Sequence, residues 1–385
     1  MTRIIKKRSK RLRAFKKFIR DVFDKELNIL FNKAFQRDEK LHVCVIGTSP
    51  ISLIAAVLIR LFGHRVTILE SSEKTEVGGA WKSTYINGEL LPRSLHFVMP
   101  CKIAYLFLSK IFNLNGMEMN QLPSRMKGDG TLIGPFPCDG ESNGSLPSYD
   151  CWPRTHANSN QLLLNNIVDI ANLEGIEIKY ESKVQCIKIE SDSLSVLHNM
   201  NGEQKKFDRI LLTNGTILEL EFSNKKITPN PNFHKNISCQ FYVKCQDVNI
   251  NLVHFDGNTT VREIQILYNR KIHNGFFYGV AKLSKKGAEL SKDKRPKAIK
   301  DAVKLICSGL KEFEYLGDFE YENVRLDYDF LNTLSKQKTN YIDVLPFGLR
   351  ENMSDILNKE QTASQDLGPI LATTNFYRTI LATII

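Results

Sequence analysis

Apolar positions along this chain follow two different periods, and the change of period marks out its elements. Residues 42–70 read HVCVIGTSPISLIAAVLIRLFGHRVTILE. Val43 to Ile46 form a continuous apolar run, the pattern of a parallel strand buried on both faces. Gly47 ends the run and allows a tight turn. Pro50 falls in the first helical turn, where its missing N–H costs little. Leu53, Ala55, Ala56, Val57, Leu58, Ile59 and Leu61 predict a largely buried helix that Gly63 terminates. Val66 to Leu69 predict a second strand, and Glu70 stands at its end. This order is that of a dinucleotide-binding unit. The helix N-terminus offers N–H groups and partial positive charge to a pyrophosphate, and the acid accepts hydrogen bonds from ribose hydroxyls.

The same mixture of periods continues downstream. Ser159 is placed to cap a helix through Leu162, Leu163, Leu164, Ile167, Ile170 and Ala171, which Gly175 ends. Ile176 to Tyr180 then predict another parallel strand, so 159–213 returns to the first domain. Residues 98–157 are rich in Gly, Pro, Ser and Asn around 128–153 and predict a long irregular insertion. Between 237 and 283 the period is two. Strands are expected over 238–244, 251–255, 261–268 and 276–281, with Asp256-Gly257-Asn258 as a turn. This pattern predicts an antiparallel sheet with one solvated face. A helix is expected from about Arg295 to Lys311, with Ala298, Val303, Ile306 and Leu310 on one side. The fold class is therefore α/β, a Rossmann-like parallel sheet with helices, joined to an α+β domain with an antiparallel sheet. The expected boundaries are a basic arm at 1–40, a discontinuous Rossmann-like domain at 41–97, 159–220 and 341–385, and a substrate or cap domain at 98–158 and 221–340.

The fingerprint G-x-G-x-x-G requires glycine at 49 and 52, and the chain has Ser49 and Ser52. The second glycine normally admits the pyrophosphate close to the backbone, and the third lets helix and strand pack closely. Serine is the next smallest polar choice. Glu70 and the pair Gly78-Gly79, followed by Ala80-Trp81, keep the binding reading alive.

The run from Val43 to Trp81 resembles the N-terminus of FAD-dependent oxidoreductases of the glutathione-reductase-like superfamily. Its members include amine oxidases, protoporphyrinogen oxidases and UDP-galactopyranose mutase. In that family a Gly-Gly pair follows the ribose carboxylate, as Gly78-Gly79 follow Glu70. Ser94-Leu95-His96-Phe97 takes the place of a G-x-H-like element near the flavin. Lys183-Val184-Gln185-Cys186-Ile187 is similar to a segment whose backbone meets the adenine. The resemblance covers about 42–97 and, more loosely, 160–215. It implies FAD as cofactor, held by Gly47, Thr48, Ser49, Ser52, Glu70, Gly78, Gly79, Trp81 and Val184. Trp81 is expected along the cofactor or, alternatively, as a core aromatic with its N–H satisfied.

Charge changes the picture at one end only. Residues 1–40 carry fourteen Lys/Arg against five Asp/Glu, and the remaining residues are close to neutral within a total of +11. In that arm Leu12, Phe15, Ile19, Val22, Phe23 and Leu30 recur at helical spacing. Two readings stand: peripheral contact with an anionic membrane, or a stripe docked on the protein's own body. Nucleic acid is not an expected partner, because the chain shows no recognised reading module. Eight scattered cysteines without a C-x-x-C pair suit a reducing, cytoplasmic setting and do not point to a metal site. Sequons such as Asn143-Gly-Ser are taken as chance in an Asn-rich chain. No run of about 18 apolar residues predicts a membrane span.

A flavin performs its own redox chemistry, so the protein supplies binding, orientation and electrostatics. His96 is a candidate for shifting a substrate proton near the ring. A C-terminal element, Leu345 to Ile356, is faintly similar to one in UDP-galactopyranose mutase and makes Arg350 a second candidate, with Arg325 as its possible cleft partner. Three functions follow: an FAD-dependent oxidoreductase of the amine oxidase or desaturase-like type acting on a small organic or lipidic substrate; a mutase-like flavin-dependent isomerase of a UDP-sugar; or a non-catalytic Rossmann-fold binding or scaffold protein. The absence of a second nucleotide fingerprint disfavours reductases with a separate pyridine-nucleotide domain.

Overall fold

The computed structural model describes residues 2–93, 102–112, 119–120, 124–135, 148–149, 159–189, 194–198, 203–213, 219–222, 225–227, 232–250, 252–257, 259–325, 342–345, 371 and 374–385. The chain begins with helices α1 (Thr2–Val22) and α2 (Lys25–Gln36). Strand β1 (His42–Ile46), helix α3 (Pro50–Leu61) and strand β2 (Arg65–Leu69) follow. A short hairpin, β3 (Ser83–Ile86) and β4 (Glu89–Pro92), precedes helix α4 (Lys102–Ile111). Helix α5 spans Ser159–Leu173.

The first sheet has five strands in the order 342–345, 209–213, β1, β2, 177–179, with every neighbouring pair parallel. Val43 lies opposite both Val66 and Arg209, which puts β1 at the centre. Parallel strands bury both faces, and Val43, Cys44 and Val45 are fully buried accordingly. Helix α3 is apolar nearly all round, and its residues 53–59 are wholly inaccessible. Such a helix is stable only inside a core.

The second sheet joins 203–207, 194–198, 184–189, 219–222 and 225–227. The third has seven strands in the order 312–325, 232–244, 276–283, 261–272, 252–256, 124–127, 132–135. All its pairs are antiparallel except 252–256 with 124–127. The sequence predicts one solvated face here, and the structure differs. One face carries Phe241, Val243 and Ile264 against Ile299 and Val303 of the helix Arg295–Lys304. The other carries Tyr242, Tyr278 and Val280 against Leu91 of β4. Tyr278 Oη donates to Pro92 O, and Gln240 Nε2 donates to Tyr278 Oη at 2.7 Å. Polar atoms at the period-two positions thus serve an internal face.

Two further expectations need correcting. The helix from Arg295 ends at Lys304, not Lys311, because Cys307–Ser308 pair with Asp247–Val248 as strands and Gly309 turns the chain at φ +57°. Ile299, rather than Ala298, is its buried residue beside Val303. Within the stretch expected to be irregular, Lys102–Ile111 is helical, with Phe107, Leu108 and Ile111 buried.

The N-terminal arm breaks at Asp24, whose carboxylate caps α2 by accepting from Leu27 N at 2.9 Å. Its apolar stripe is covered by the chain itself. The Phe15 ring is fully buried and meets Phe31, Phe62, Phe107 and Tyr377 at centroid distances of 5.6, 6.3, 6.3 and 5.9 Å. Arg11 pairs with the buried Glu174 beyond the end of α5, and Arg378 of the C-terminal helix Thr374–Ile384 pairs with Glu26 at 2.8 Å. Among the described residues no helix is long and apolar enough to cross a membrane.

Truncating Phe15 leaves a void bounded by four rings that cannot all collapse inward. Phe15→Ala is expected to lower stability by about 3–5 kcal/mol, whereas Lys17→Ala on the exposed face should stay within about 0.5 kcal/mol. Urea unfolding of the two variants against the parent chain measures both.

Candidate functional site

The turn after β1 is built by Gly47, which sits at φ +87° and donates its N–H to Leu69 O at 2.8 Å. This bond holds the turn against the end of β2, where Glu70 begins. Glu70 is only 6% exposed, yet it carries a carboxylate. Burying such a group costs several kcal/mol unless it is hydrogen-bonded, and four donors meet it. Thr48 N donates to Oε2 at 2.8 Å, and the Thr48 hydroxyl donates to the same oxygen. Ser72 N donates to Oε1 at 2.8 Å and Ser71 Oγ to Oε1 at 3.2 Å. The Thr48 hydroxyl in turn accepts from Gly78 N at 3.1 Å. Main-chain bonds tie in a further segment: Glu70 N donates to Lys179 O at 2.9 Å, and Ser182 N to Glu70 O at 2.7 Å. Val184 opens its strand two residues later and is buried. Gly47, Thr48, Glu70, Gly78 and the approach to Val184 therefore meet at the C-terminal end of the parallel strands. Open α/β sheets bind ligands at that end.

The start of α3 decides what an anion would find. Helical N–H groups in the first turn have no partner inside the helix. Pro50 has no N–H to offer. Ser52 N is taken by the Ser49 hydroxyl, the N-cap, at 3.2 Å, and Leu53 N begins the regular ladder by bonding Ser49 O at 3.0 Å. Ile51 N–H is the remaining first-turn amide. The two serines that replace glycine are also bonded to each other, Oγ to Oγ at 2.8 Å. Ser52 is fully buried, and its hydroxyl turns toward Ser49 instead of into the strand beneath.

Gly78 and Gly79 play different parts. Gly78 has φ +108°, and a Cβ there would come within 2.3 Å of Leu164 Cδ2 on α5. Gly79 has φ +57° and is exposed, and a Cβ on it would meet nothing within 4 Å. Trp81 lies in the short helical turn that follows and is buried in the main core with Val77 and Leu164. His96, Ser94 and Arg350 lie outside the described residues, as does the segment 346–356; Arg325 ends its strand at the edge of the third sheet. Ser71, Ser72 and Ser182 were not anticipated as partners of Glu70. The signal was the pair of small donor residues directly after the acid, where a chain leaving a strand can fold its own N–H groups back onto a carboxylate.

The fold can be compared with known proteins. No protein-family model matches the chain. Putrescine oxidase, as a double mutant redesigned at its cofactor binding, superposes with TM-score 0.55 at 12% identity over 90% of this chain and 99% of that one. A protein described as a protoporphyrinogen oxidase from Exiguobacterium gives TM-score 0.53 at 11% identity, covering 90% and 98%. A Pyrococcus furiosus protein gives 0.52 at 14% identity, covering 81% and 92%. Among curated sequences, the flavin-containing monooxygenase FMO GS-OX-like 9 of Arabidopsis thaliana is 31% identical over 118 residues, 25% of this chain. The matched segment spans about a quarter of that relative's length. The chain thus has the mixed α/β fold of these oxidases, with a parallel sheet and an antiparallel one.

The two glycines should respond differently to a methyl group. Gly78→Ala combines a left-handed backbone with a collision against α5 and is expected to cost about 2–4 kcal/mol. Gly79→Ala meets only the backbone penalty, about 1 kcal/mol. Thermal melts of both variants read the difference directly.

Proposed function

We propose that this chain is an FAD-dependent oxidoreductase of the amine oxidase or desaturase-like type, acting on a small organic or lipidic substrate. The observation that carries the proposal is the hydrogen-bond chain Gly78–Thr48–Glu70 at the end of the parallel sheet, in a fold shared with putrescine oxidase. The curated relative, named a flavin-containing monooxygenase, supports the same class of chemistry.

The residues present fit the adenosine end of such a cofactor. A carboxylate accepts about four hydrogen bonds, and Glu70 has four donors. Two are the backbone N–H groups of Thr48 and Ser72, fixed in place by the fold. The other two are the hydroxyls of Thr48 and Ser71, one on each carboxylate oxygen, and both can rotate away. A ribose diol would replace these two hydroxyls while the amides keep the carboxylate in position. At the pyrophosphate end, Ile51 N–H, the helix dipole of α3 and the Ser49 hydroxyl are the available groups. Open space above Gly47 and Gly79 leaves backbone accessible on both sides of the turn. Bound flavin would supply the two-electron chemistry. The protein's part is to orient the dinucleotide along the sheet edge and to exclude water through the apolar core beneath it.

The visible absorption spectrum of the purified chain, before and after adding FAD, tests the proposal. Flavin bands at close to one per chain are the expected result. A colourless protein that takes up no FAD overturns it and favours the scaffold reading, in which Ser49 and Ser52 merely complete a helix cap. Glu70→Gln should weaken FAD binding about 10- to 100-fold, as expected for lost hydrogen bonds to a charged group, measured by quenching of flavin fluorescence. Ser49→Gly frees Ser52 N–H for a phosphate oxygen, and FAD affinity should rise in the same titration.

A further inference from the structure

The face of α1 opposite its buried stripe carries Lys10, Arg13, Lys17 and Arg20, and in the sequence Arg3 and Lys6 precede them at the same spacing. Their spacing alternates between three and four, which keeps residues on one side of a helix. Residues 2–20 hold ten Lys/Arg and no acid. From Lys10 to Arg20 the row is about 15 Å long at the helical rise per residue. Lys10, Arg13, Lys17 and Arg20 are exposed, while Phe15, Phe18 and Ile19 on the opposite side are buried in the core. The apolar side chains Phe15, Phe18 and Ile19 of α1 are therefore already used inside the core. It offers outward a row of positive charge, held rigid by the ring cluster around Phe15 and by the Arg11–Glu174 pair.

Two more features stand beside this row. Phe35 of α2 is 54% exposed, with Lys16 Nζ 5.7 Å from its ring centroid. Acidic residues gather at the far end: Asp21 is bonded to Arg20 at 3.0 Å, and Asp24 and Glu26 lie at the junction with α2.

We propose that the outer face of α1, with Phe35 of α2 at its edge, docks on an anionic lipid surface. A rigid basic row close to a flat negative surface gains from every charge within a Debye length. Each Lys or Arg near such a surface raises affinity about fivefold. Phe35 beside Lys16 favours a bilayer over a nucleic acid. The headgroup region accepts apolar side chains beside lysines, whereas a duplex backbone offers them nothing. Docking does not depend on the flavin reading, because none of these residues belongs to the site at Glu70.

Co-sedimentation of the full chain with vesicles tests this. Vesicles of phosphatidylcholine alone should not carry the protein down at about 0.1 M salt, and vesicles containing about 30 mol % phosphatidylserine should. Raising salt to about 0.5 M should release it. The triple variant Lys6→Ala/Lys10→Ala/Lys17→Ala should bind at least tenfold more weakly while melting at the parent temperature. Equal sedimentation with both vesicle types overturns the proposal, as does a triple variant that binds like the parent. Binding to a DNA duplex with both vesicle types ignored overturns it as well and assigns the row to nucleic acid.

Discussion

Burying the Glu70 carboxylate is the constraint on which the rest of the site depends. A charge that is nearly inaccessible must be met by donors, and here they come from two separate stretches of chain, with a third bonded to one of the donors. Thr48 belongs to the turn after β1, Ser71 and Ser72 to the exit from β2, and Gly78 reaches the acid through the Thr48 hydroxyl. The backbone of Glu70 meanwhile bonds to Lys179 and Ser182, which fixes the start of the second sheet. One carboxylate thereby sets the turn conformation, the direction of the chain leaving β2, the placement of the glycine pair and the approach of Val184. Main-chain and hydroxyl donors can do this without a cation. A lysine or arginine in the same place would neutralise the acid and fill the space beside it.

The N-terminal arm shows the same logic in apolar form. Its basic composition suggests an independent appendage, but aromatic rings decide otherwise. Phe15, Phe18 and Phe23 interlock with Phe107 and Tyr377, residues far away in the chain, and the C-terminal helix closes over α2. Aromatic pairs in edge-to-face geometry add to the area they bury. The arm is part of the core, and its charge is carried on the reverse side of a structural helix. Stability and surface charge are assigned to opposite faces of one element, so each can be altered without the other.

Much of the fold was legible in the sequence because its signals are local. The apolar run 43–46, the buried helix through 53–61 and the acid at 70 each follow from the period of burial over a few residues. The strands of the third sheet were legible for the same reason. Their solvated face was not, because β3–β4 covers it through Leu91 and Pro92, and a contact across some 150 residues leaves no trace in local period. The helix from 295 was over-extended because Ile306 and Leu310 continue its spacing. Strand pairing with 247–248, a tertiary effect, overrides that propensity. In the site, the residue types were legible and their partners were not. Thr48 was expected to face a cofactor, and nothing in the sequence shows that its hydroxyl bridges Gly78 and Glu70.

The serine substitutions in the glycine fingerprint gain meaning only as a pair. A lone serine at 52 would push a buried hydroxyl toward β1 with no partner, a cost of about 1–3 kcal/mol. A lone serine at 49 would cap the helix and leave the third position free for close packing. Together the two hydroxyls bond each other, one caps α3, and the other is satisfied inside the core. Reverting Ser49 alone to glycine therefore removes the partner of Ser52, so a gain in anion affinity would be accompanied by a loss of stability. Reverting both should restore the stability while keeping the gain. Coupling between neighbouring sites has this signature, and distant independent sites lack it. The departure from the fingerprint is thus one coordinated change in how the helix end is satisfied, not two separate defects in a binding loop.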